Sequence, residues 1–126
     1  MSTTYETALA RSRAYALLSH LYLRGLTPDV LPQVATIDEF RAALPAACDP
    51  DLAAAAHTQL FGFNVFPYQS VFLDPACLLG GAEGNRVARC YAEAGYPVGA
   101  ATTEPDHIGH ELGLLAFLCG AEADAL

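Results

Sequence analysis

The segment Glu104-Pro105-Asp106-His107-Ile108-Gly109-His110-Glu111 places five titratable side chains within eight positions, just ahead of a strongly apolar run. On a helix, spacings of three and four bring His107, His110 and Glu111 to one side, the kind of disposition that a metal-dependent hydrolase uses. The zinc-hydrolase pattern, however, sets its histidines four apart around a glutamate. Here they are three apart and the glutamate follows them, and no spacing elsewhere suggests a third ligand. No metal site is expected, and a hydrolase built on His107, His110 and Glu111 stands as the alternative reading. Acidic residues at a helix start also have a structural use, because they complement the macrodipole and cap free N–H groups. Nothing resembles a nucleophile with its base and orienting group, and there is no phosphate-cradling loop of the P-loop kind. Gly80-Gly81-Ala82-Glu83-Gly84 reads as a flexible connector. Neither enzymatic activity nor a cofactor is expected.

A second informative stretch runs from Leu60 to Phe72 and carries the rings of Phe61, Phe63, Phe66, Tyr68 and Phe72, interrupted by Gly62, Asn64 and Pro67. Proline lacks an N–H and disfavours helical geometry in the residue before it, so no regular helix is expected here and Phe66 to Ser70 should form an irregular, fixed loop. Rings on such a loop either plug the core or stand available to a partner. For Pro67, Tyr68 and Ser70 taken together, binding is the favoured reading.

These two stretches must be positioned by helices. Alternating runs rich in β-branched residues are nearly absent, whereas helix punctuation recurs, so the predicted fold is all-α, a compact bundle of about six helices in a single domain spanning residues 1–126. Thr3 or Thr4 can cap a first helix to about Leu23, with Ala8, Leu9, Ala16, Leu17, His20 and Leu21 along its apolar side and Gly25 ending it. Thr27-Pro28-Asp29, Asp49-Pro50-Asp51 and Asp74-Pro75 each read as a helix start. Ile37 to Leu44 and Ala82 to Ala94 carry further amphipathic patterns, closed by Pro45 and Gly95. The last helix should begin near Glu104 and run through Phe117, with Pro97 to Asp106 as a hinge before it. Its apolar character so near Leu126 suggests that something normally follows.

The 126 residues are 53% apolar, much of that alanine, and no apolar stretch is long enough for a membrane span. An export signal is not expected, since Glu6 precedes Arg11 and Arg13 and no cleavage site follows. Cys48, Cys77, Cys90 and Cys119 are too scattered for a zinc ribbon or a redox motif and should be buried, reduced thiols. The net charge is −8 and all six basic residues are arginine, which excludes the basic stripe that nucleic acid needs and suits a basic partner.

Glu104-Pro105-Asp106-His107 with Glu111-Leu112 resembles the E-P-D-H-x-x-x-E-L signature of the TorD/DmsD/NarJ-type chaperones, which mature molybdenum-containing oxidoreductases. Phe66-Pro67-Tyr68-Gln69-Ser70-Val71-Phe72 is similar to that family's P-Y-E-S-V-[FY] segment, and Arg13, Tyr15, Leu17, Leu18 and Tyr22 fit its opening helix. Gln69 departs from the pattern, standing where the family usually has an acid. Family members are usually longer, which implies a truncated chain, a fragment, or a homo-oligomer that completes its core, as by exchanging elements. The resemblance implies a cytoplasmic protein that binds the N-terminal, twin-arginine signal segment of a molybdoenzyme subunit during cofactor insertion and before export. Carboxylates beside an apolar groove suit such a ligand. The residues it points to are Phe63, Pro67, Tyr68, Ser70, Phe72, Glu104, Pro105, Asp106, His107 and Glu111, on the expectation that the Tyr68 loop and the Asp106 turn lie side by side. A general helical interaction module is the remaining alternative.

Overall fold

The structure, a computed structural model, describes residues 3–73, 75, 76, 79–98 and 104–126. Among these it contains seven α-helices and no strand. They are α1 (Thr4–Arg24), α2 (Leu31–Ala35), α3 (Asp38–Ala43), α4 (Pro50–Thr58), α5 (Gln69–Leu73), α6 (Gly81–Ala94) and α7 (Ile108–Ala125), with a π-helical turn, Gln59–Asn64, continuing α4. The all-α prediction holds. The chain divides into two compact units, one made of Met1–Leu23 and Pro67–Leu126, the other of Arg24–Phe66.

In the second unit, Asp49 caps α4 as its sequence predicts, its Oδ1 accepting from Asp51 N at 2.9 Å and from Leu52 N at 3.4 Å. Thr27-Pro28-Asp29 instead forms a turn, and α2 begins only at Leu31. The Thr27 carbonyl accepts from both Val30 N and Leu31 N, and the Thr27 hydroxyl bonds Asp29 rather than capping. Gly62 and the aromatics around it do not end the helix but widen it into the π turn, where Asn64 Nδ2 donates to Gln59 O at 2.7 Å. Gly25 has φ +81°, and a Cβ there would stand 2.9 Å from Cγ of His57, so both backbone and space require glycine.

In the first unit, α1 opens with a reciprocal cap: Thr3 Oγ1 accepts from Glu6 N at 3.1 Å and Glu6 Oε2 accepts from Thr3 N at 2.9 Å. Helices α1 and α7 run antiparallel along a seam of small residues. Ser19 Oγ donates to Gly109 O at 2.6 Å and Ser12 Oγ donates to Ala116 O at 2.8 Å, so each serine reaches a backbone carbonyl of the facing helix. Gly109 lies under Leu23, Gly113 under the Tyr96 hydroxyl and Ser19, and Gly120 beside Ser12. The same register brings Ala8 and Ala123, both buried, to one level. The predicted apolar side of α1 is therefore only partly right. Ala8 and Leu17 are buried, but Ala16 is exposed, and the face that α1 turns to α7 runs through Ser12 and Ser19.

Helix α6 buries Gly84, Val87 and Tyr91 along one face and ends at Gly95, φ +71°, as its pattern predicts. Gly81 to Gly84 are its first turn rather than a flexible connector. Tyr91, Tyr96 and Phe117 stack edge-on or tilted at centroid distances of 5.4 and 5.6 Å, fastening the end of α6 to α7. Helix α7 extends eight residues beyond the predicted Phe117. Asp74, part of a predicted helix start, lies outside the described residues, as do Cys77 and residues 99–103 of the predicted hinge. Cys48 and Cys119 are half-buried, and Cys90 is exposed rather than buried, since it points away from the Val87–Tyr91 face.

The seam separates two glycines of the same helix. Gly109→Ala would press a methyl against Leu23 Cδ2, which lies 2.8 Å from the ideal Cβ position, whereas at Gly120 the nearest atom is Ser12 Oγ at 3.4 Å. Chemical denaturation should show Gly109→Ala losing about 1–3 kcal/mol despite alanine's higher helix propensity. Gly120→Ala should be neutral or gain up to about 1 kcal/mol.

Candidate functional site

Pro67 fixes its own backbone in an extended turn and cannot continue a helix, so the chain entering α5 is available for pairing. It pairs with the chain entering α7. Tyr68 and His107 form an isolated antiparallel bridge, with Ile108 N donating to Pro67 O at 2.8 Å and Gln69 N donating to Asp106 O at 3.2 Å. The two sequence stretches thus lie side by side, joined through their backbones. Helix α5, starting at Gln69, takes up part of what the sequence predicts as irregular loop.

Beneath the bridge, Asp106 and Ser70 are wholly buried. Asp106 Oδ2 accepts from Ser70 N at 2.6 Å, capping α5 from thirty-six residues away, and Ser70 Oγ accepts from Gly80 N at 2.9 Å. Asp106 Oδ1 faces Gly84 of α6, where an ideal Cβ would be 3.7 Å from it, and has no hydrogen-bond partner among the described residues. Tyr91 completes the support by donating its hydroxyl to Pro105 O at 2.6 Å. Burial above all, with Glu111 adding to it, pushes the Tyr91 phenol well above its ordinary range and keeps it a neutral donor.

On the accessible side, His107 occupies the N-cap of α7, its Nδ1 accepting from Gly109 N at 2.8 Å. That bond fixes the tautomer with its proton on Nε2. Its ring meets Tyr68 edge-on at 5.0 Å and His110 at 5.9 Å. Burial, then Glu104 and Asp106, raises the Tyr68 phenol. Glu111 is half-buried, and its carboxyl lies above the usual range because of that burial and of Asp106, with Arg86 pulling it back. Gln69 links Glu111 to Arg86. One orientation of its amide gives only a 3.3 Å bond to Glu83, whereas the other lets Nε2 donate to Glu111 Oε1 at 2.8 Å and Oε1 accept from Arg86 Nη2 at 2.6 Å. The second satisfies both neighbours and is the one we assign.

The structure therefore gathers Pro67, Tyr68, Ser70, Glu104, Pro105, Asp106, His107 and Glu111 around one backbone bridge. Phe72 is 71% exposed on α5. Phe63 stands on the π turn in the other unit, 75% exposed. No group of three or more histidine, cysteine, aspartate and glutamate side chains suited to a metal occurs among the described residues, and the capping bond already occupies His107 Nδ1. Sequence reasoning missed Glu83, Arg86 and Tyr91. The first two were recoverable from their i, i+3 spacing on a predicted helix, but nothing in the sequence marks Tyr91 as the support of Pro105.

Two expectations follow from this geometry. Asp106→Ala leaves the buried Ser70 N–H without an acceptor, and urea denaturation should show a loss of about 1–3 kcal/mol, with Asp106→Asn losing less. His110 is pushed below its ordinary value of 6.5 by burial, so the unfolded chain takes up its proton first as pH falls. Stability contributed by this group is intact above about pH 6.5 and declines as pH drops below it. The loss between pH 7.5 and 5.5 should be smaller in His110→Gln than in the wild type.

Residues 27–126, which include both motifs, match the nitrate reductase delta subunit family model. No curated protein matches the chain, and neither does any solved structure. Among the described residues no helix is long and apolar enough to cross a membrane. With 100 of its 126 residues matched and the two motifs joined in one site, the chain belongs to the nitrate reductase delta subunit family of molybdoenzyme maturation chaperones.

Proposed function

We propose that this protein acts in the cytoplasm as a chaperone that binds the N-terminal, twin-arginine signal segment of a molybdenum-cofactor oxidoreductase subunit, holding it during cofactor insertion and before export. The observation that carries the reading is the Tyr68–His107 bridge, which sets the ring of Tyr68 and the carboxylates of Glu104 and Glu111, each partly accessible, around one turn. A signal segment presents guanidinium groups followed by an apolar stretch. The carboxylates answer the first, and the exposed ring of Phe72 on α5 answers the second. The net charge of −8 steers a basic segment toward the protein at long range.

The eight residues gathered around the bridge divide by what they touch. Ser70, Asp106 and the backbone of Pro105 are positioning groups, since the first two are fully buried and Pro105 O is held by Tyr91. Tyr68, Glu104, His107 and Glu111 retain accessible surface and are the groups assigned to client contact, with Pro67 setting the approach of the chain. No catalytic step is assigned to any of them.

The test is calorimetric titration with a twin-arginine signal peptide, using a twin-lysine peptide as control and Glu104→Gln with Glu111→Gln as the variant. Asp106 is left intact because its loss would loosen the turn itself. Saturable binding that weakens at least tenfold in the double variant, and weakens also with lysine, is the expected result, since each charge-assisted bond contributes roughly 1.5–3 kcal/mol when fully formed. Folded protein that binds no signal peptide would refute the reading.

A further inference from the structure

Arg86 lies outside both motifs yet reaches into the site from α6. Its Nε and Nη2 donate to Glu83 Oε2 at 3.1 and 2.9 Å, and Nη2 also donates to Gln69, whose amide holds Glu111 on its other side. Negative charge here exceeds what this one guanidinium offsets. Glu83 and Glu111 both come within hydrogen-bond reach of the Gln69 amide, Glu111 is pushed toward protonation by burial and Asp106, and the fully buried Asp106 Oδ1, which faces Gly84 of α6, has no hydrogen-bond partner among the described residues. At the same time Arg86 is only lightly held. Its side chain is 51% exposed, and an i, i+3 ion pair on a helix surface contributes little.

The geometry points to Arg86 as a built-in occupant of the cation position of the site: it donates to Glu83 and Gln69 in the place of a client guanidinium, and a client arginine binds by taking over those contacts. This inference rests on the client-binding reading and adds to it a source of selectivity. A planar fork with several N–H donors can reproduce the contacts of Arg86 to a carboxylate and an amide oxygen together. A lysine ammonium, a compact point charge, replaces the charge but not the fork. Gln69 has a defined part in this exchange. Its oxygen accepts from whichever guanidinium is present, and its N–H keeps Glu111 oriented toward the same place.

The experiment compares wild type with Arg86→Met, a variant of similar side-chain length without the charge, in titrations with the twin-arginine peptide and with the same peptide carrying glutamine at both arginines. Arg86→Met should tighten the arginine peptide about threefold, the scale of one released surface ion pair, and leave the glutamine peptide unchanged. Equal tightening of both peptides, no change, or weaker binding of the arginine peptide overturns the inference. In the wild type, saturation with the arginine peptide should also move the Arg86 Nε–H resonance to its position in free Glu83→Gln, and a resonance that stays in place counts against the exchange. Wild-type binding without tightening in Arg86→Met overturns this inference alone, whereas absence of binding by either form overturns the client-binding reading and this inference with it.

Discussion

The site depends on one buried hydrogen bond, from Ser70 N to Asp106 Oδ2. A carboxylate without access to water is costly unless donors surround it, and Asp106 has a single short bond from the described residues for its two oxygens. What the bond provides is position. It caps the five-residue α5 from a distant part of the chain and holds the Pro67–Gln69 segment in register with the start of α7. Ser70 passes the constraint on through its hydroxyl to Gly80 N, just ahead of α6. One carboxylate thus ties the starts of three helices together, and the accessible groups above it inherit their placement from that tie.

The supporting parts are built from small residues. Gly84 leaves room for Asp106 Oδ1, Gly109 lets Leu23 lie against the first turn of α7, and Ser12 and Ser19 bond carbonyls of the opposite helix. Such contacts set the distance between helices closely, because a single added carbon meets an atom already present. Around this close-packed frame, Phe72 and Leu73 on α5 and Ile108, Leu115 and Leu118 on α7 remain exposed. The first unit is tightly fitted along its seam and apolar on parts of its surface.

Much of this was legible in the sequence, and the reasons differ from element to element. The cap at Asp49 and the glycine stops at Gly25 and Gly95 were readable because a local residue type has a local consequence. The pairing of the Tyr68 and Asp106 segments was an expectation about residues nearly forty positions apart, drawn from the chemistry of a basic ligand rather than from any local pattern. The burial of Ser70 and Asp106 was not legible, because a small hydroxyl and a carboxylate in a turn look the same in sequence whether they face a partner or each other. Gln69 reads as a lost charge in the sequence and as a two-sided amide bridge in the structure, since its role depends on Arg86 and Glu111 arriving from two other helices. The π turn escaped for a related reason. Glycine and asparagine usually stop a helix, and here they sit within a wider one.

The pairing of α1 with α7 has a temporal consequence. The bond from Ser12 to Ala116 spans 104 residues, so α1 leaves the ribosome long before its partner exists. At about 5–20 residues per second, the wait is roughly 5–20 s, during which the serine and alanine face of α1 has nothing to lie against. The Asp106 turn lies just ahead of that same helix, so its bond to Ser70 also waits for a segment made later. Newly made protein therefore passes through an interval in which its first helix is present and the bridge between Tyr68 and His107 is not.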